Sequence, residues 1–369
     1  MEYKFIVTGG GTSGHINPAI TIADALRNYY MSRGDSCKII FTGRREGLEG
    51  ELVPKAGYEM KYIEARPFPM KPGMKMIKAL KALSKGKSQC RKIIDEFKPD
   101  AVIGTGGYVC APLLMTAEKM NIPTVIHEAN AFPGRANKML GRKADLVLTG
   151  FPDQEEVFRG AGKIICTGNP IRSQIIGCTR EKGRAELNIP DEQKMVFAMG
   201  GSLGAKTIND FVLSAANDPD FSDVRFVLSS GKQQSGKLTD ASIPDNLEIM
   251  TYTDHPEYYL AGADVCITRA GAVTCAETAA IGSCSVFVPY PHAAHDHQTY
   301  NASAFEKTGG CVLMSDQDVA EGKLKDKLKE LLDNKDKQQK IRENAKKLAV
   351  LDCDSRICEA IDSIISKNE

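Results

Sequence analysis

Three times in this chain a short apolar run ends in a glycine-rich turn that opens a helical pattern. The three stretches are "KFIVTGGGTSGHINPA" (residues 4–19), "AVIGTGGYVCAP" (101–112) and "MVFAMGGSLGAKTIND" (195–210). A strand feeding a tight glycine turn into a helix is the repeating unit of a parallel sheet covered by helices, and it constrains the fold more than any other feature here. Other strand-like runs fall at 38–42, 60–63, 124–127, 146–149 and 164–167, then at 225–229, 247–250, 265–268, 285–289 and 311–314. Helical patterns are expected near 18–32, 47–56, 71–97, 112–120, 135–140, 154–158 and 181–187, and through the charged stretch 323–366. The 369 residues exceed one typical domain, and the alternation restarts at Met195 after the turn Gly168-Asn169-Pro170. The expected class is therefore α/β with two Rossmann-like domains facing across a cleft. The first spans 1–167, the second 168–349, and a C-terminal helix at about 350–369 packs back on the first.

Composition narrows the surroundings rather than the chemistry. The formal net charge of +1 gives no global attraction to nucleic acid, and none is expected as a partner. The eleven cysteines are odd in number, lack a C-x-x-C pair and lie mostly in apolar runs, which reads as reduced buried thiols. The opening MEYKFIVTGG reads as a first strand, not a signal peptide. The uncharged run 101–117 is broken by Gly104, Gly106, Gly107 and Pro112 and is too short to span a membrane.

Gly9 to Gly14 also fit the dinucleotide pattern G-x-G-x-x-G, but that site needs an acidic residue at the end of the second strand. Here the second strand runs into Gly43-Arg44-Arg45, which leaves only an NADP reading open. His15 follows the last glycine. At a helix start the dipole disfavours imidazolium, so a neutral ring there is a general-base candidate, or alternatively a cap or hydrogen-bond donor. Loop amides freed by glycine, with the Ser202 hydroxyl, suit a phosphate at a helix entrance. Three such loops favour a phosphorylated ligand held between the domains.

The densest stretch is "ITRAGAVTCAETAAIGSCSVFVPYPHAAHDHQTYNA" (267–302). Gly271 to Thr274 should open a helix whose first amides hold a diphosphate without metal. Glu277, one turn further on the face of Thr274, can accept from both hydroxyls of a ribose. His292, His295 and His297 with Asp296 lie in an expected loop without thiolate support, so a metal site is not expected. Asp218-Pro219-Asp220 and Asp352-Cys353-Asp354 match the D-x-D pattern of metal-dependent sugar transferases by spacing alone, far from any glycine loop.

Taken together, "GGTSGHINPA", "GTGGY…AP", "HEAN…PGRANK", "GNPIR", "GGSLGA", "RAGAVTCAE" and "DHQTYNA" resemble, in order and spacing, the MurG family. Its members transfer N-acetylglucosamine (GlcNAc) from UDP-GlcNAc to undecaprenyl-pyrophosphoryl-MurNAc-pentapeptide (lipid I), giving lipid II for peptidoglycan. The resemblance runs from residue 4 to about 315. It implies a GT-B fold and an inverting transfer without metal or other cofactor. By position it places Thr12, Ser13 and Gly14 beside the donor sugar and phosphates, Asn130 at the GlcNAc, and Arg172 and Ser202 at the nucleotide. Thr253 falls at the uracil, and Ala272, Val273, Thr274, Cys275, Ala276 and Glu277 along the phosphates and ribose. Gln298 and Asn301 fall at the sugar hydroxyls, His15 at the reacting centre, and Gly106, Tyr108, His127 and Glu128 on the acceptor side. Ser13 stands where glycine is more usual, Leu203 where glutamine is, and Thr253 where an apolar residue is.

A lipid-linked acceptor implies work at a membrane. Between Arg66 and Lys92 there are nine Lys/Arg and no Asp or Glu, interleaved with Phe68, Met70, Met74, Met76, Ile77, Leu80 and Leu83. Such a basic, amphipathic segment suits peripheral attachment to anionic lipid, here on the cytoplasmic face of the bacterial cell membrane. Partners among the cell-wall and division machinery follow from the same resemblance. Alternatives are another UDP-sugar transferase with a lipid acceptor such as diacylglycerol, a UDP-GlcNAc 2-epimerase-like isomerase, and a non-catalytic UDP-sugar-binding protein. "HEAN…PGRANK" opposes the first, the lack of a carboxylate set opposes the second, and His15 with the acceptor-side motifs opposes the third.

Overall fold

The structure, a computed structural model, describes residues 1–365 apart from 70, 72 and 234–242, with only the backbone at 294. Met70 of the basic segment and residues 366–369 of the expected last helix thus lie outside the described residues. The chain divides into two compact units, Met1–Pro170 with Asp352–Glu369, and Ile171–Leu351.

The first unit holds β1 (Glu2–Thr8), α1 (Ser13–Ser32), β2 (Ser36–Gly43), α2 (Glu49–Lys55), β3 (Glu59–Tyr62), α3 (Met74–Phe97) and β4 (Ala101–Gly104). These are followed by α4 (Cys110–Lys119), β5 (Thr124–Glu128), α5 (Arg135–Gly141), β6 (Leu146–Thr149) and β7 (Lys163–Cys166). All seven strands are parallel, in the order β3-β2-β1-β4-β5-β6-β7. Alternate residues of β1 serve opposite faces. Phe5 and Val7 pack with Ile16, Ile22 and Leu26 of α1, whereas Ile6 packs with Val102, Leu113 and Ile126. Both faces are covered, which is why the central strands are apolar runs without alternation.

The second unit holds α6 (Arg180–Glu186), β8 (Lys194–Met199), α7 (Lys206–Ala216), β9 (Val224–Ser229), β10 (Leu247–Met250), α8 (Pro256–Gly262), β11 (Val265–Thr268) and α9 (Ala272–Ile281). Beyond these come β12 (Ser285–Phe287), α10 (His297–Glu306), β13 (Val312–Leu313), α11 (Asp316–Ala320), α12 (Leu324–Asp333) and α13 (Lys335–Lys346). Its six strands are again parallel, ordered β10-β9-β8-β11-β12-β13. In each unit the order reverses direction beside the first strand, where an open α/β sheet binds its ligand. A last helix, α14 (Cys353–Ile365), packs on α1, and Tyr30 donates its hydroxyl hydrogen to Asp362 at 2.9 Å.

Three local expectations are corrected. The first helix begins at Ser13, not near Pro18, because Gly11 takes a left-handed φ of 85° and Thr12 is an extended N-cap. Pro18 is accommodated inside the second turn, and His15 therefore belongs to the first. Residues 155–160 form turns rather than a helix. His297, expected in a loop, is the first residue of α10.

Candidate active site

In the first unit the loops after β2, β1 and β4 lie side by side because those strands are neighbours. The Thr105 hydroxyl donates to the His15 carbonyl at 2.7 Å, and His15 Nδ1 lies 3.2 Å from the Thr105 carbonyl. A carbonyl can only accept, so the neutral ring is assigned with its proton on Nδ1, leaving Nε2 as the basic nitrogen. Gly10 N–H donates to the Gly106 carbonyl at 3.2 Å. Gly106, with φ 123°, allows this approach: a Cβ there would stand 2.5 Å from His15 Nδ1. Its part is to make room for the histidine. Tyr108 accepts at its hydroxyl from Arg44 Nη1 at 2.7 Å.

Two expected acceptor-side residues face inward. His127 is fully buried, and burial pushes its imidazole down to about 4, so it is neutral at pH 7 with Nε2 donating to the Gly168 carbonyl. The buried Glu128 carboxylate accepts from Asn130 N (2.9 Å), Asn130 Nδ2 (3.1 Å), Gly134 N (3.0 Å) and Asn137 Nδ2 (3.0 Å). Four donors leave it no capacity for a substrate. It shapes the loop that carries Asn130.

In the second unit the turn after β8 is held backbone against backbone. Gly201, Gly204 and Gly231 are left-handed, and a Cβ on Gly231 would stand 2.0 Å from Gly204 N. The Ser202 carbonyl accepts from Lys232 N at 3.1 Å, and the neighbouring Leu203 side chain is exposed. α9 starts at an extended Gly271 with no side-chain cap and no acidic residue in its first turn. The amides of Ala272, Val273 and Thr274 therefore present the positive end of the helix to an anion. One turn on, Glu277 is buried and accepts from Arg172 Nε at 2.8 Å. Burial raises its carboxyl above the ordinary range, against the lowering effect of Arg172. Thr253 accepts at its hydroxyl from His255 N (3.1 Å), and Gln298 Oε1 accepts from Tyr290 N (2.9 Å).

The side chains of Cys275 and Asn301, both expected at the donor, are fully buried. Cys275 is core, its thiol pushed well up by burial, while Asn301 Nδ2 donates to the Ala270 carbonyl at 3.1 Å and braces the approach to α9. Arg269, which the sequence did not single out, is nearly buried. It donates to the Val288 and Pro289 carbonyls and pairs with Asp316, which also accepts from the Thr207 hydroxyl. It ties the loops after β8, β11, β12 and β13 together. Among the described residues no group of three His, Cys, Asp or Glu side chains is placed to hold a metal ion. Asp218 and Asp220 instead pair with Lys325, at 2.6 and 3.1 Å.

The first unit also holds a residue that motif reading passed over. Glu49, the first residue of α2, is buried; its Oε2 accepts from Gly11 N and its Oε1 from Arg44 N, both at 3.2 Å. Its helical spacing with Val53 was the available signal, since i and i+4 share the inward face.

Residues 5–149 match the glycosyltransferase family 28 N-terminal domain, and residues 195–357 match the glycosyltransferase family 28 C-terminal domain. Relatives named UDP-N-acetylglucosamine--N-acetylmuramyl-(pentapeptide) pyrophosphoryl-undecaprenol N-acetylglucosamine transferase are similar over almost the whole chain. The protein from Acetivibrio thermocellus is 38% identical over 368 residues, 98% of each chain. That from Thermoanaerobacter sp. is 37% identical over 367 residues, 98% of this chain and 100% of the relative. The crystal structure of MurG from Acinetobacter baumannii superposes with a TM-score of 0.77 at 25% identity, covering 98% of this chain and 100% of that one. UDP-GlcNAc 2-epimerase from Neisseria meningitidis superposes with a TM-score of 0.66 at 15% identity, over 98% and 100% of the two chains, which is a likeness of fold alone. With two parallel α/β units, as in a GT-B fold, and both domain families matched in order, the chain belongs to glycosyltransferase family 28.

Proposed function

We propose that this chain transfers GlcNAc from UDP-GlcNAc to the MurNAc C4 hydroxyl of lipid I, forming lipid II. The observation that carries the reading is near-full-length identity to transferases of that name. The uncapped start of α9 takes the UDP diphosphate, with Ser202 on the same phosphates. Glu277 accepts from the ribose hydroxyls, Arg172 lies beside the nucleotide, and Thr253 meets the uracil through its backbone. Gln298, Asn130, Thr12, Ser13 and Gly14 contact the donor sugar. Tyr108 lies on the acceptor side.

His15 Nε2 takes the proton of the acceptor hydroxyl as that oxygen attacks the anomeric carbon. The bond from that carbon to the diphosphate oxygen breaks, UDP leaves with the electron pair, and the configuration inverts. A helix terminus supplies about 0.3–1 kcal/mol, up to about 2 when partly buried. Most of the acceleration must therefore come from fixing donor and acceptor in attacking geometry, worth up to roughly 7–11 kcal/mol. The developing charge on UDP is met by amide dipoles rather than by a cation.

Among the described residues no helix is long and apolar enough to cross a membrane. The chain works as a peripheral protein on the cytoplasmic face, held through segment 66–92. There Phe68, Met74, Ile77 and Leu80 are exposed beside Lys75, Lys78 and Lys81. The test is incubation of pure protein with labelled UDP-GlcNAc and a short-chain lipid I analogue, with and without EDTA. Transfer in both is expected. No transfer overturns the function, and loss only with EDTA overturns its metal-free mechanism.

A further inference from the structure

We infer that Glu49 is a positioning residue for sugar transfer, locking the His15 and Tyr108 loops to one another from behind; the inference rests on the transfer reading above. Glu49 stands where three neighbouring strands, β2, β1 and β4, deliver their loops. Its Oε2 accepts from Gly11 N, the peptide that turns the chain into α1 and so sets His15 four residues on. Its Oε1 accepts from Arg44 N, and the Arg44 guanidinium donates to Tyr108 in the third loop. One buried carboxylate thus links all three.

The surroundings are shaped for that group. A Cβ on Gly10 would lie 2.7 Å from the Glu49 carboxylate, one on Gly47 2.3 Å from it, and one on Gly43 2.6 Å from its Cγ. Three glycines leave the volume that the side chain fills. Two converging N–H donors demand an acceptor-only group, which an ionised carboxylate is and a carboxamide is not. A glutamine of the same shape must turn its NH2 toward one of the two amides and lose that bond. An apolar side chain would fill the same space but leave both amides without an acceptor, so what the carboxylate adds over packing is the link between the loops.

E49Q and G47A test this by different routes. The first keeps the shape and removes the second acceptor. The second keeps the carboxylate but drives it off the loop, at the cost of its two amide hydrogen bonds. With wild-type protein active on UDP-GlcNAc and the lipid I analogue, both variants should lose at least tenfold in kcat. Affinity for UDP should stay within twofold, since the residues assigned to the nucleotide (Arg172, Ser202, Thr253 and Ala272 to Glu277) lie in the other unit, and UDP should still raise Tm. Wild-type kcat in either variant overturns the inference. So does a parallel loss of kcat, UDP affinity and Tm, which marks a purely structural role. Inactive wild-type protein would instead overturn the transfer reading.

Discussion

Arg172 Nε donates to Glu277 Oε1 at 2.8 Å, and the two partners differ sharply in exposure: 39% for the arginine side chain against 4% for the glutamate. The arginine can fall back on water and the carboxylate cannot. R172M should therefore cost much more than E277Q, roughly 3 kcal/mol at neutral pH for the stranded carboxylate. Because burial already raises the Glu277 pKa, the deficit should shrink as pH falls through that raised value and the carboxyl takes a proton. Urea denaturation of both variants between pH 4 and 8 checks this, and a pH-independent R172M deficit would contradict it. E277Q should keep its fold yet bind UDP at least tenfold more weakly, having lost one acceptor for the ribose.

His127 gives the first unit an acid sensitivity of its own. Burial lowers its imidazole from an ordinary 6.5 to about 4, so between those values the unfolded chain holds a proton that the native chain does not. Stability from this residue is intact above about pH 6.5 and falls as pH drops toward 4, by up to about 3 kcal/mol. H127Q keeps a donor for the Gly168 carbonyl and does not titrate. The difference in unfolding free energy between wild type and H127Q should therefore shrink or reverse across that range. A constant difference would show that His127 takes its proton in the native state at an ordinary pH.

Much of the fold was legible because parallel strands covered on both faces are short apolar runs, and because glycine turns mark where β1, β4 and β8 hand over to helices. Helix boundaries were less legible. Pro18 reads as a start by the first-turn rule, yet the left-handed Gly11 and extended Thr12 opened the helix earlier. At the site, α9 and Glu277 could be found from spacing because both lie on one helix. Glu49, Arg269 and the inward role of Asn301 could not, since each is defined by partners on other loops. The inward role of Glu128 could not because the turn through 130–137 that wraps donors around it has no periodic pattern. A motif shows which residues gather near a site, but not which side chains face the ligand and which brace it.

His15 and Gly106 should fail in the same way for different reasons. H15A removes the base and should lower kcat by at least a hundredfold, in the range typical of general-base loss, with UDP binding little changed. G106A leaves the base in place, but its Cβ would meet His15 Nδ1 at 2.5 Å, and its φ of 123° is hostile to any side chain. It should lower kcat and also cost roughly 1–3 kcal/mol of stability. Steady-state kinetics with UDP titrations by calorimetry separate the two. Near-normal turnover in H15A would remove His15 from the chemistry.

Attachment through α3 should need both its charge and its apolar side chains. The inward face of the helix carries the buried Ala79, Ala82, Gly86 and Cys90, leaving Met74, Ile77 and Leu80 exposed among lysines. Lysines near an anionic surface contribute about 1 kcal/mol each, and a fully buried Ile or Leu about 1.5–3 kcal/mol. K78E/K81E should thus weaken binding to vesicles containing phosphatidylglycerol by at least about thirtyfold, and raised salt should weaken wild-type binding too. I77S/L80S should weaken binding with little added salt dependence, because apolar burial is not screened. Neither pair touches the donor loops, so turnover on a water-soluble short-chain acceptor should persist while activity on vesicle-embedded acceptor falls. Co-sedimentation with wild type and the two double variants decides the matter. Undiminished binding in both double variants would move the attachment surface elsewhere on the chain.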